Sequence, residues 1–322
     1  MDFGLDRLLS CTSLVKRLRN RPVGVLAHAA SVDRRLESIV AVLARGGIVP
    51  HTLFGPEHGF GGAAQDMVGV ADGDEPTAGT RVVSLYGDQL EDLVPAPAHL
   101  AELVTLHAAA DGLSLGPEGA VSAVPVLGWQ PSTLAKDWDR PFVLPSPNMP
   151  TVDTTLVYPG GCLLEGTNLS EGRGHTRPFE ITGAPWLDGV ALASSLDRLG
   201  LPGFRPRPLS FVPTFHKHAG EVCQGVQIYV TDPVAFRPVA TYVAYVALAR
   251  AQAPKHFRFR TERYEFVDDV PAFDLLTGSA EARERIEASD DPLAIAEAIA
   301  RPDPAWAERS EQARQALQAA SW

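Results

Sequence analysis

Cysteine is scarce in this chain: three in 322 residues, at Cys11, Cys162 and Cys223. Three cannot all pair and none lies near another, so they read as reduced thiols in a reducing compartment, not a disulfide framework. Cations are also short, with 28 Lys and Arg against 39 Asp and Glu and a formal net charge of -11. That balance argues against nucleic acid, whose phosphates require clustered Lys and Arg. No apolar run of about 18 residues occurs, so no membrane-spanning helix is expected. Residues 1–21 hold no apolar core of signal-peptide length, and the expectation is a cytoplasmic protein. GxGxxG and Walker sequences are missing, and the glycines of His58-Gly59-Phe60-Gly61-Gly62 are too loosely spaced for a phosphate loop. No cofactor is expected.

What is there is the composition of a soluble globular protein, 45% hydrophobic and 21% charged, long enough for one large or two ordinary domains. Leu5, Leu8, Leu9, Val15 and Leu18 recur at helical spacing, and Lys16, Arg17 and Arg19 close that segment as a helix dipole favours. Residues 22–28 are short, apolar and β-branched, predicting a buried strand. Ser31 stands as an N-cap before Val32, Leu36, Ile39, Val40 and Leu43, and Gly46-Gly47 stops the helix. Residues 48–54 predict the next strand, so a βαβ unit and a parallel sheet follow. Further strands are expected at 81–86, 121–127, 142–144 and 156–164. The second half changes character. Residues 211–215 and 225–230 read as neighbouring strands, 239–253 as a helix and 257–267 as an alternating strand. Closing helices are expected at 280–288, 292–300 and 306–320.

In open α/β sheets ligands bind beyond the carboxyl ends of strands. Polar clusters fall there, at 29–33, 56–62, 146–151 and 165–174. The densest is Leu163-Leu164-Glu165-Gly166-Thr167-Asn168-Leu169-Ser170-Glu171-Gly172-Arg173-Gly174, with two carboxylates, an amide, an arginine and three glycines. Another is Phe54-Gly55-Pro56-Glu57-His58-Gly59-Phe60. With Pro145-Ser146-Pro147-Asn148-Met149-Pro150-Thr151 and Pro213-Thr214-Phe215-His216-Lys217, these stretches resemble the exo-β-N-acetylmuramidase family. The resemblance runs from about Val23 to about Gly278.

The resemblance implies an α/β fold: a Rossmann-like parallel-sheet domain carrying the cleft over residues 1–183, then a smaller α/β domain over 184–322. It also implies a hydrolase removing β-1,4-linked N-acetylmuramic acid from the non-reducing end of peptidoglycan fragments, in cell-wall turnover. The partner is then a small muropeptide or disaccharide. One region departs. Where family members carry two further strands between positions matching Tyr86 and Leu103, Leu93-Val94-Pro95-Ala96-Pro97-Ala98-His99 runs almost directly downstream. Lost strands expose sheet edges, for which a homodimer is one cover. They also open an alternative: a non-catalytic, vestigial muramyl-sugar-binding protein lacking part of its active-site wall.

Glycoside hydrolysis commonly uses a carboxylic acid to protonate the leaving oxygen and a second carboxylate as base or nucleophile. Glu57, in a turn after a strand, is the candidate acid, and the resemblance assigns that position a catalytic role; capping its own loop is the structural alternative. His58 either orients it or is a satisfied loop histidine. Glu165 and Glu171 compete for the second carboxylate, unless the substrate's own N-acetyl group attacks. Arg173, a planar fork for carboxylates, would read the lactyl group of N-acetylmuramic acid or pair internally with Glu171 or Glu180. Asn148 and Asn168 suit hydroxyl or acetamido recognition, though asparagine also belongs in turns. Gln65 and Asp66 resemble a polar pair near the family's cleft, and Lys217 lies in the family's Pro-Thr-Phe-x-Lys motif. His216 and His218 would share a face on a strand. With only Cys223 beyond them they fall short of a zinc set, and no metal is expected.

Overall fold

The computed structural model describes residues 1–65, 68–87, 124, 126–128, 133–265, 267–301 and 304–319. It divides into two compact units, Met1–Pro147 with Pro302–Trp322, and Asn148–Arg301.

In the first unit, α1 (Gly4–Leu8) and α2 (Thr12–Arg19) precede β1 (Gly24–Leu26). Ser38, not Ser31, caps α3 (Ile39–Arg45), its hydroxyl accepting from the Ala41 amide at 3.3 Å. Asp33 delays the helix. Its carboxylate accepts from the amides of Arg35 and Glu37 and pairs with Arg45, so residues 33–37 close as a turn instead. β2 (Thr52–Gly55), β3 (Gly73–Asp74) and β4 (Arg81–Ser84) complete a sheet ordered β1-β2-β4-β3. β1, β2 and β4 run parallel, and β3 is an antiparallel edge. Val25 lies opposite Leu53, and Leu53 opposite Val82. Those side chains pack with Val15, Val40, Leu43 and Ile48 into one core, so the expected βαβ unit is present. Residues 142–144 form no strand. Most of 121–127 lies outside the described residues.

The second unit opens with a helix where a strand was expected. Thr151 caps α4 (Val152–Gly161), its hydroxyl accepting from the Thr154 amide at 3.2 Å. The apolar run then tightens into a 3-10 turn, Cys162–Gly166. A short apolar run reads alike for a buried strand and a buried helix, and here the hydroxyl cap decides. β5 (Ile181–Ala184), α5 (Gly189–Arg198), β6 (Phe204–Phe211), β7 (Cys223–Val230) and α6 (Pro238–Gln252) follow. After them come α7 (Ala272–Thr277), α8 (Glu281–Glu287) and α9 (Pro292–Ile299). The sheet is antiparallel in the order β5-β7-β6. Gly183, the expected domain boundary, lies inside β5 and pairs with Gly225. β6 is an edge strand with Pro206 and Pro208 in its middle.

Among the described residues of 257–267 the pairing consists of isolated bridges, Phe259 with Thr167 and Tyr264 with Val267, so alternation alone misled here.

Helix α6 is buried almost all round. Its phenols are satisfied by backbone carbonyls, Tyr242 donating to Phe179 at 2.5 Å and Tyr245 to Thr182 at 3.0 Å. Gly160 of α4 lets the chains approach: an added Cβ would lie 2.1 Å from the Pro238 carbonyl oxygen. Gly160→Ala is therefore expected to destabilise the fold by about 1–3 kcal/mol or more, as overpacking does. A lowered denaturant midpoint with unchanged slope would report it.

Candidate active site

In the first unit, Glu57 follows the carboxyl end of β2. The chain turns sharply there. A Cβ on Gly55 would sit 2.7 Å from the Phe60 nitrogen, and the Gly59 amide donates to the Pro56 carbonyl at 2.8 Å. The turn leaves Glu57 half-buried and His58 buried. His58 has a left-handed backbone, φ 69°, and its Nδ1 is 3.0 Å from the Ala64 carbonyl. Gln65 ends this loop, its carbonyl accepting from Val68 at 3.2 Å. Asp66 lies outside the described residues.

His28 joins this group without having been foreseen. It follows β1, and its ring stands edge-on to His58 with centroids 6.4 Å apart. Its Nδ1 accepts from the Ala30 amide at 3.2 Å. Burial, then the neighbouring His58, lower its pKa, which favours the neutral ring. The available signal was a histidine at the end of a predicted strand.

The second unit gathers Glu165, Glu171, Arg173 and Lys217. Glu165 projects from the Cys162–Gly166 turn. The following loop is seated on β5, Ser170 and Gly183 exchanging backbone bonds at 2.7 and 3.0 Å. Gly172 is required at φ 71°, where a Cβ would lie 2.3 Å from the Ile181 carbonyl oxygen. Arg173 is thereby placed between two carboxylates. Its Nε donates to Glu171 Oε1 and its Nη2 to Glu165 Oε1, both at 3.0 Å. Its guanidinium also lies 5.3 Å from the Phe179 ring centroid. Arg173 thus pairs with Glu171 and Glu165. Glu180 instead binds Arg177 at 3.0 Å and Thr154 at 2.8 Å.

Lys217 reaches Glu171 Oε2 at 3.1 Å and donates to the carbonyls of Leu164 and Leu169 at 2.9 and 3.2 Å. Burial lowers its pKa, with Glu171 opposing. Burial likewise works against a charge on Glu171, but Lys217, His216 and Arg173 outweigh it and hold that carboxyl well below its ordinary range. That shift favours the ionised form of Glu171. The Glu165 oxygens meet Arg173 and, at 2.7 Å, the Tyr264 hydroxyl. Tyr264 is a second residue that sequence reasoning missed.

Asn148 is buried at the start of this unit. Both ends of the Asn168 amide are committed to backbone, donating to His256 and accepting from Arg258, each at 2.9 Å. β6 ends at Phe211, so His216 and His218 lie on a loop and diverge. His216 faces Glu171 at 3.6 Å, and His218 Nε2 is 2.8 Å from the Asn168 carbonyl. Among the described residues, no group of three or more His, Cys, Asp or Glu is arranged to hold a metal ion.

Family models for the N-terminal and C-terminal parts of exo-beta-N-acetylmuramidase NamZ match residues 23–106 and 156–314. The chain is 31% identical over 357 residues to the peptidoglycan beta-N-acetylmuramidase NamZ of Bacillus subtilis strain 168, covering 88% of this chain and 84% of that one. That span exceeds the 322 residues present, so the relative carries stretches with no counterpart here. A crystal structure of a DUF1343 family protein from Bacteroides fragilis superposes with a TM-score of 0.72 at 20% identity, covering 99% of this chain and 98% of that one. A second from the same organism gives 0.58 at 16% identity, covering 98% of each chain. These two likenesses show the fold, a mixed α/β architecture of two domains.

Proposed function

The chain belongs to the exo-β-N-acetylmuramidase NamZ family, and from that membership we infer that it is an exo-acting glycoside hydrolase. It removes β-1,4-linked N-acetylmuramic acid from the non-reducing end of peptidoglycan fragments. The observation that carries this reading is the extent of the match, one family model covering the Glu57 loop and the other the Glu165–Lys217 cluster.

Glu57 is the general acid that protonates the leaving oxygen. The lowered pKa of Glu171 weighs against that role for it. The second carboxylate that glycoside hydrolysis commonly uses is assigned to Glu165. Glu171 meets Arg173, Lys217 and His216, whereas Glu165 meets Arg173 on one oxygen and the Tyr264 phenol on the other. His58 orients Glu57, and Asn148 and Gln65 contact sugar hydroxyl or acetamido groups. Arg173, Lys217 and Asn168 support substrate binding by holding the cluster and its loop in shape.

Among the described residues no helix is long and apolar enough to cross a membrane. The free thiols of Cys11, Cys162 and Cys223 suit a reducing, cytoplasmic setting, where such an enzyme would act in cell-wall turnover on small muropeptides or disaccharides. The 31% identity to a peptidoglycan beta-N-acetylmuramidase over 88% of the chain disfavours a vestigial binding role.

The test is incubation with the disaccharide N-acetylmuramyl-β-1,4-N-acetylglucosamine. Free N-acetylmuramic acid is the expected product. A folded protein that releases none would sink the reading.

A further inference from the structure

The two oxygens of Glu165 meet different donors, Arg173 on Oε1 at 3.0 Å and the Tyr264 phenol on Oε2 at 2.7 Å. The second distance is that of a charge-assisted O–H···O bond. Tyr264 is buried and lies 99 positions along the chain from its partner. Its backbone is pinned by reciprocal bonds with Val267, at 3.1 and 2.9 Å. Arg260 covers its ring, with the guanidinium carbon 5.4 Å from the centroid. The same segment is tied to the turn that bears Glu165, the Arg260 amide donating to the Gly166 carbonyl at 2.9 Å. Asn168 fastens its start through His256 and Arg258. The phenol is therefore delivered to Glu165 by a backbone already anchored beside it.

The last torsion of a glutamate is broad, and donors on both oxygens restrict it more than donors on one alone. Resting on the muramidase reading, in which Glu165 is the second carboxylate, we propose that Tyr264 is a positioning residue that fixes the orientation of the Glu165 carboxylate during turnover. A ring that served only as packing would be replaced without loss by phenylalanine.

The experiment is a double-variant cycle with Tyr264→Phe and Glu165→Gln. Turnover is followed on an activated aryl β-N-acetylmuramide, on which slow variants stay measurable, and on the disaccharide. Tyr264→Phe is expected to lower kcat about ten- to hundredfold, the scale of a misplaced catalytic group. KM should stay within about twofold and Tm near the parent's. In the Glu165→Gln background the same change should cost little more, because groups acting as a unit do not add. An unchanged kcat, a loss appearing mainly in KM or Tm, or full multiplication with Glu165→Gln would overturn the Tyr264 assignment alone. A parent protein with no turnover on either substrate would overturn the muramidase reading, and this assignment with it.

Discussion

Glu57→Gln is expected to cut turnover of the disaccharide by about 10²–10⁴-fold, the usual contribution of a general acid. That corresponds to about 3–5 kcal/mol of transition-state stabilisation. The amide matches the carboxyl in size but has no proton to give at neutral pH. Its loop is held by the Gly59 to Pro56 backbone bond and by His58 against Ala64, neither of which the substitution touches. The choice of substrate sharpens the test. A sugar alkoxide is a poor leaving group and needs protonation, whereas a nitrophenolate departs as the anion. The variant should therefore retain far more of its rate on a nitrophenyl muramide than on the disaccharide. Equal losses on both would remove Glu57 from the acid role and place it in binding or in stabilising the cation.

Arg173→Met carries the second large effect, on stability. Breaking a buried ion pair by removing one partner costs about 3–5 kcal/mol, because the other charge stays buried and uncompensated. Here one cation meets two buried carboxylates, Glu165 and Glu171, while Lys217 stays beside Glu171 and offsets part of the loss. Arg173→Lys restores the charge but not the fork that reaches both, and should recover only part of the loss. The effect depends on pH. Glu171 has its folded pKa held well below the unfolded one by Lys217, His216 and Arg173, against the opposing effect of burial. Such a carboxylate contributes stability that is fully present above about pH 5, begins to fall in the ordinary carboxyl range and is gone only below its lowered folded pKa. The gap between parent and variant should thus be widest near pH 7 and narrow below about pH 4. Denaturant titrations at the two pH values measure it. A gap that is constant with pH would mean that Arg173 acts through packing on Phe179.

The first unit was largely legible because its signals are local. A β-branched run, a helical spacing and Gly46-Gly47 fall within one βαβ stretch, where the misplaced cap was due to the turn around Asp33; the expected strand at 142–144 did not form. The run through Tyr158 to Leu164 was not legible, since apolar content does not set the period. Its helix is decided by one hydroxyl at Thr151. Glu165, Glu171 and Arg173 could be grouped from sequence because they lie within nine positions of each other. Their mutual arrangement could not, because it depends on Gly172 against Ile181 and on Lys217 arriving from beyond β6. Asn168 looked like a sugar contact by type, yet its amide geometry matches two backbone groups of a distant segment. Tyr264 left no local trace at all. Its role depends on where its segment lies, and that is settled by tertiary contacts of the Gly166 turn.

The two prolines of β6 bear on how this protein meets other copies of itself. Opposite β7, Pro206 and Pro208 pair with Ile228 and Val226, positions whose amide groups point away from the partner strand. The outward face of the strand therefore lacks two successive donors in its middle, and Arg207 stands exposed between them with Arg205 exposed just before. A strand from a neighbouring molecule would find too few hydrogens to bind and two like charges to bring close to its own. Growth of this sheet from molecule to molecule is disfavoured at that side.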